Sequence, residues 1–185
     1  MSHAWGSDHY LQLSNMTRSD RFPKVFETAK SLCRKPKRIM SFGCSTGEEC
    51  QSLAKYFPDA EIVGVDINAS NLYTARRNNK NPNIHFTDEI NVTGKFDVVF
   101  AMMVLFCMDR PIPWERFEQT LVAIDRRLKR GGLLVAYTTE FALTTSEMIG
   151  NRYRPVREWE RTHNKNNKIY YNGYYRKKWL WELGI

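Results

Sequence analysis

The sequence predicts a doubly wound α/β domain built on a mostly parallel sheet, and three observations carry that prediction. Short apolar, β-prone runs recur from residue 38 to about residue 137. Stretches with helical periodicity separate them. The last part of the chain then changes character and becomes tyrosine-rich and basic. Strands alternating with helices pair in parallel through right-handed crossovers, whereas a β-prone tail after the last helix suits an antiparallel hairpin at the sheet edge.

Taken in order, Arg38-Ile39-Met40-Ser41-Phe42 reads as the first strand, stopped by Gly43. A helix follows over Glu48 to Phe57. Ile62 to Asp66 is the second strand, with a helix over Ser70 to Asn78 behind it. Ile84-His85-Phe86 is a short third strand. Phe96 to Ala101 is the fourth, apolar enough to be buried on both faces. From Trp114 to Lys129 the apolar residues Phe117, Leu121, Ile124 and Leu128 share one helical face. The basic residues and glycines that follow suit a helix C-terminus. Leu133 to Tyr137 is the fifth strand. Arg152 to Trp159 and Lys168 to Lys177 supply the hairpin, with Asn164 to Asn167 as its turn. Asn172-Gly173, flanked by tyrosine pairs, is a second hairpin signal and leaves the register open.

The 185 residues suit one domain, 42% hydrophobic and 26% charged. Within it we expect an N-terminal lid or helix over 1–30, a ligand-binding core over 36–140 and the hairpin over 150–178. The longest apolar run, Val98 to Met108, is too short to cross a bilayer, and Met1 to Tyr10 has no signal-peptide core. Cys33, Cys44, Cys50 and Cys107 form no CxxC pair and have no histidine at zinc spacing, so a reduced cytoplasmic protein without a bound metal is expected. The net charge of +8 is concentrated in residues 150–185, which carry nine Lys/Arg against three Asp/Glu. Such a tail is either a solvated surface or a contact for an anionic partner.

The chemistry centres on the loop Gly43-Cys44-Ser45-Thr46-Gly47-Glu48-Glu49, at a strand-to-helix junction. Small residues there let a ligand approach the backbone, and the helix start offers free N–H groups. Asp66 ends the second strand, nineteen residues after Gly47. An acid at that place hydrogen-bonds a ribose diol in dinucleotide-binding folds, and the geometry serves any adenosyl ligand. The loop lacks GxGxxG, and Glu48 and Glu49 oppose a pyrophosphate at the helix N-terminus. A ligand carrying an ammonium and a sulfonium tolerates those carboxylates, which favours S-adenosylmethionine over NAD. Ile67, Asp88, Glu89, Met102, Met103 and Val104 complete the expected cofactor contacts at the strand ends. Asp88 is placed to accept the adenine amino group, with Ile90 on the ring; a turn or capping role is the alternative.

These residues resemble the chemotaxis receptor methyltransferases (the CheR type). The resemblance covers Gly43 to Glu49, the upstream N-x-T-x-x-x-R spacing of Asn15, Thr17 and Arg21, the FDxxF strand from Phe96 to Phe100, Leu128 to Leu134 against LKPGGxL, Thr138-Thr139-Glu140 against a terminal HSE, and the closing hairpin. It runs from about Asn15 to Lys178. It implies a seven-stranded, Rossmann-like class I methyltransferase fold. It also implies that Asn15, Thr17 and Arg21 approach the cofactor, that Glu48 or Glu49 binds its amino group, and that Asp66 holds the ribose. No counterpart is expected here for the family's helical N-terminal domain or its receptor-docking subdomain. Met103 and Cys107 stand where the family has Asn and Tyr beside the reacting methyl, so bacterial chemoreceptor tails are not expected as substrates.

Methyl transfer from a sulfonium mainly requires alignment of an acceptor, which can lower the barrier by roughly 7–11 kcal/mol. A carboxylate acceptor is already ionised at neutral pH and needs no base; none of His3, His9, His85 and His163 stands out as one. Arg21 is the candidate catalytic residue, as the group that binds an anionic acceptor. Met102, Met103, Phe106 and Met108 either line an apolar acceptor pocket or pack the core. The expected function is O-methylation of a small-molecule or carboxylate acceptor. The alternatives are methylation of RNA or protein through the basic segment (Arg152, Arg154, Arg157, Trp159 and Arg161), and cofactor binding without turnover.

Overall fold

The computed structural model describes residues 17–89, 92–107, 110–163 and 169–184. Along the chain lie α1 (Pro23–Leu32), β1 (Arg38–Phe42), α2 (Glu48–Tyr56), β2 (Glu61–Val65), α3 (Ala69–Asn78), β3 (Ile84–Thr87), β4 (Phe96–Met102), α4 (Trp114–Arg127), β5 (Leu128–Thr139), α5 (Glu147–Arg152), β6 (Tyr153–His163) and β7 (Ile169–Lys177). The strands form one seven-stranded sheet in the order β3-β2-β1-β4-β5-β7-β6. The first five of these are parallel, and β7 runs antiparallel to both β5 and β6. The strand order reverses between β1 and β4. In open α/β sheets that switch point opens a crevice at the carboxyl ends of the strands.

Alternate side chains of each strand feed two cores. On one face Met40, Val65, Val99, Ala101 and Leu134 pack with Phe117, Leu121 and Ile124 of α4. On the other, Ile39, Ile62, Val98, Phe100 and Val135 pack with Val25, Phe26 and Ala29 of α1, Leu53 of α2 and Leu72 of α3. Burying each aliphatic or aromatic side chain of this size contributes about 1.5–3 kcal/mol. The central strands β1 and β4 are therefore apolar on both sides.

The predicted face of α4 is buried throughout, but the helix stops at Arg127 and Leu128 already belongs to β5. Leu128 pairs with Phe96 of β4, and the Lys129 ammonium lies 2.6 Å from Asp97 Oδ1. Those partners draw the chain into extended form before the glycines.

The closing hairpin forms, with one correction. Asn172-Gly173, expected as a possible turn, lies inside β7. The Asn172 side chain accepts the Thr138 N–H at 2.6 Å, and a side chain at Gly173 would strike the Tyr175 ring. The pair thus serves strand-to-strand fit rather than reversal. The proposed turn at Asn164 to Asn167 lies outside the described residues. The hairpin is tied down through Asp125 of α4, which is 3% exposed. Its carboxylate meets the Lys177 ammonium at 2.8 Å, the Arg152 guanidinium at 2.8 Å and the Tyr153 hydroxyl at 2.9 Å. Burial by itself would raise the Asp125 pKa; the Lys177 ammonium and the Tyr153 hydroxyl outweigh it and hold the group below the usual carboxylate range. Much of the basic tail is thus spent within the fold, for Arg176 also donates to the Gly131 and Leu32 carbonyls and Lys178 to that of Asn151. No helix among the described residues is long and apolar enough to cross a membrane.

Candidate functional site

The loop that follows β1 is shaped by backbone. The Gly43 and Cys44 N–H groups both donate to the Val65 carbonyl, at 2.7 and 3.0 Å, which binds the loop to the tip of β2. Gly43 has φ 77°, and a Cβ there would sit 2.5 Å from Val104 Cγ2. The loops after β1 and β4 therefore touch at the switch point, and only glycine fits between them. Ser45 is itself left-handed at φ 50°. Its N–H donates to Asp66 Oδ2 at 2.8 Å, while Asp66 Oδ1 accepts the Asn68 N–H at 2.8 Å. Burial pushes the Asp66 carboxyl above its ordinary range, and those two N–H groups pull it back part of the way.

Glu48 and Glu49 open α2 but face different partners. The Glu48 carboxylate accepts from the Thr46 hydroxyl at 2.7 Å. Glu49 turns toward the buried Ser41 hydroxyl on β1, at 2.8 Å. Burial of its carboxyl pushes its pKa up to about 8, against the Ser41 hydrogen bond and the charge of Arg21, which both favour ionisation. A carboxyl whose ionisation burial opposes this strongly is poised for a cation.

Arg21 reaches this carboxyl from the segment before α1. That segment is anchored on α2. The left-handed Asp20 donates its N–H to Ser52 Oγ at 2.8 Å and accepts from the Tyr56 hydroxyl at 2.9 Å. The Arg21 guanidinium lies 5.1 Å from the Phe22 ring centroid.

The structure gathers Arg21, Gly43, Ser45, Gly47, Glu49, Asp66, Met103 and Val104 around the carboxyl ends of β1, β2 and β4, with Thr17 and Ile67 half-buried on neighbouring chain. Asn15 lies outside the described residues, as do Ile90, Met108, His3 and His9. Asp88 and Glu89 are exposed beyond β3. Two expectations change in detail. The Cys44 side chain faces the core, where a Cβ on Gly64 would meet both Cys44 and Cys50 sulfurs. Hydrogen bonding to Cys50 and burial push its thiol well above the usual range, so it packs rather than reacts. Phe106 and Cys107 are 2% and 1% exposed, core positions rather than pocket lining; Met102 is buried too, whereas Met103 keeps some exposure. Among the described residues no group of three or more His, Cys, Asp or Glu is placed to hold a metal.

Residue-by-residue reading of the sequence missed Ser41, Phe22 and Tyr137. Ser41 had a local signal, a polar residue inside an apolar strand. Phe22 and Tyr137, whose ring centroids lie 4.8 Å apart, had none, because 115 positions separate them.

The architecture matches the N-methyltransferase NodS from Bradyrhizobium japonicum WM9 with a TM-score of 0.63 at 14% identity, covering 86% of this chain and 99% of that one. TehB from Haemophilus influenzae matches with a TM-score of 0.65 at 13% identity, covering 86% and 64%. In sequence the chain is 29% identical over 154 residues to the malonyl-[acyl-carrier protein] O-methyltransferase of Legionella pneumophila, covering 76% of this chain and 51% of that protein. It is 30% identical over 134 residues to the trans-aconitate 2-methyltransferase of Deinococcus radiodurans, covering 70% and 47%. The chain thus spans about half the length of these two curated relatives. The model of a family described as a methyltransferase domain matches residues 40–134, from β1 into β5 and just over half of the chain, so the chain belongs to that family and, with it, to the class I S-adenosylmethionine-dependent methyltransferases.

Proposed function

We propose that this chain methylates an oxygen of a small, carboxylate-bearing acceptor, with S-adenosylmethionine as methyl donor. The observation that carries the donor half is the pairing of a side-chain-free loop at Gly43 with two half-buried carboxyl groups, Glu49 and Asp66, at the same sheet end. A cationic ligand with a ribose fits that donor set and a pyrophosphate does not. Glu49 would take the ammonium, Asp66 the ribose hydroxyls, and the Gly43 to Gly47 backbone the body of the ligand. Residues 15–21, with Asn15, Thr17 and Arg21, would cover it, and Ile67, Asp88 and Glu89 would border the adenine. In domain terms residues 1–30 act as cover, 36–140 as cofactor core and 150–178 as a structural hairpin. Once bound, the cofactor supplies an electrophilic methyl group; the chain's own residues hold and orient both reactants.

The acceptor half rests on the relatives. Two of them are named for methylation of malonyl-[acyl-carrier protein] and of trans-aconitate, both carboxylates. The resemblance to the chemotaxis receptor enzymes points the same way, toward an oxygen that is ionised without a base. With labelled S-adenosylmethionine and a panel of trans-aconitate, a malonyl thioester, small hydroxy acids, RNA and receptor fragments, label is expected in an acid, as an alkali-labile ester. Label entering RNA or receptor fragments instead would overturn this reading. Tight cofactor binding with no label transferred at all would favour a non-catalytic domain.

Asp66 gives a direct check on the donor site. Asp66→Ala is expected to weaken S-adenosylhomocysteine binding by about 1–3 kcal/mol, measured by calorimetry. Part of that loss comes from the loop, because the Ser45 and Asn68 N–H groups lose their acceptor. Asp66→Asn keeps one acceptor oxygen and should fall between the two. Equal affinity in all three proteins would exclude the ribose assignment.

A further inference from the structure

Two non-glycine residues hold left-handed backbone at the tips of neighbouring strands. Met103, after β4, has φ 55°, and Thr138, near the end of β5, has φ 57°. Met102 pairs with Tyr137 in the parallel register of β4 and β5. The two unusual residues therefore stand side by side, at the sheet end that also carries Gly43 and Asp66. A β-branched residue in this region is an outlier and persists only where its surroundings over-determine it.

Those surroundings can be named. The Thr138 N–H donates to Oδ1 of the buried Asn172 at 2.6 Å. The Met103 N–H donates to the Tyr137 carbonyl at 2.7 Å. The β5–β7 register slips between Ala136 and Thr139, at the point where Asn172 reaches across. The held kink presents Tyr137 on the α1 side of the sheet, partly exposed and packed against the core cluster there. Its ring meets Phe22 with centroids 4.8 Å apart and planes at 50°. Phe22 in turn lies under the Arg21 guanidinium, whose charge reaches Glu49. A phenol, an aromatic face and a guanidinium thus meet beside the candidate cofactor loop, with residue types that suit an organic acid.

We infer that Tyr137, together with Arg21 and Phe22, forms the acceptor subsite and selects a carboxylic acid. Arg21 supplies the charge that draws the carboxylate. The Tyr137 hydroxyl donates a hydrogen bond that orients it, and the Phe22 ring covers the apolar part of the acceptor. This rests on the methyltransferase reading above and names the residue that gives that site its preference for acids.

Tyr137→Phe tests the inference, because it keeps the ring contact with Phe22 and removes only the hydroxyl. The full chain is assayed against the same acid panel, with trans-aconitate as first probe. KM for the acid is expected to rise about tenfold or more, the effect of losing a hydrogen bond to a charged group. S-adenosylhomocysteine affinity should stay as in the parent protein. A purely structural tyrosine would leave KM unchanged in Tyr137→Phe, and that result would overturn the inference while leaving the proposed activity standing. Failure of the parent protein to label any acid, despite cofactor binding, would remove the carboxylate reading and this subsite with it.

Discussion

Replacing Glu49 with glutamine is expected to stabilise the ligand-free protein and, in the same stroke, to weaken cofactor binding about a hundredfold. Both effects arise from one buried carboxyl. Its pKa rises from 4.5 to about 8 because burial disfavours the charged form. A folded-state pKa above the unfolded value means that the native protein binds the proton more tightly. The penalty for ionising Glu49 is therefore absent below pH 4.5, grows between pH 4.5 and 8, and is full above pH 8. The gap sets an upper bound of roughly 5 kcal/mol on that penalty. Glu49→Gln should thus gain little at pH 4 and about 2–4 kcal/mol at pH 9, read from denaturant midpoints across that range. The Ser41 hydroxyl can still bond the amide, so the fold has no reason to rearrange.

The affinity loss has the opposite sign because a bound ammonium adds its charge to that of Arg21 beside the carboxylate. Removing one member of such a pair costs about 3–5 kcal/mol, enough for the expected drop. The same linkage predicts that cofactor binding near pH 7 expels close to one proton, as Glu49 ionises against the ligand. Calorimetry in buffers of different ionisation enthalpy measures that proton directly. Unchanged cofactor affinity in Glu49→Gln would show that Glu49 is not the ammonium partner; binding without proton release, together with a gain over the parent no larger at pH 9 than at pH 4, would show that its carboxyl is already ionised without the ligand.

How much of this was legible in the sequence depended on distance along the chain. The run from Gly43 to Glu49 and the acid at Asp66 could be read because turn chemistry and strand ends are local. The strand order could be read because alternating strands and helices leave few right-handed topologies. The division of labour between Glu48 and Glu49 could not. It depends on which neighbour turns inward to Ser41, and therefore on how α2 is rotated over β1. Tyr137 looked like one more strand aromatic, since its meaning comes from Phe22 on a distant helix start. Asn172-Gly173 misled for the same reason. A local turn signal was overridden by a tertiary bond to Thr138. Cys107 was read by its alignment with a family tyrosine, but its burial against α4 takes it away from the ligand side.

Gly43→Ala is expected to be among the most damaging single substitutions outside the main core, by about 2–5 kcal/mol, with cofactor binding lost. Two costs combine. An alanine at φ 77° bears the left-handed penalty of about 1–2 kcal/mol. Its Cβ would also stand 2.5 Å from Val104 Cγ2 and 2.8 Å from Val104 Cβ. Neither side can yield easily. The Gly43 N–H is bound to the Val65 carbonyl at 2.7 Å, and Val104 follows directly on the kinked Met103. The two costs separate in the double variant Gly43→Ala/Val104→Ala, which removes the collision and keeps the dihedral. It should recover more than half of the lost stability relative to Gly43→Ala, by urea midpoint. Gly150→Ala serves as the control, because a Cβ there meets nothing within 4 Å, and alanine in α5 should stabilise by about 0.5–1 kcal/mol. If Gly43→Ala unfolds at the parent midpoint and still binds S-adenosylhomocysteine, the loops after β1 and β4 are not in the contact on which the candidate site is built.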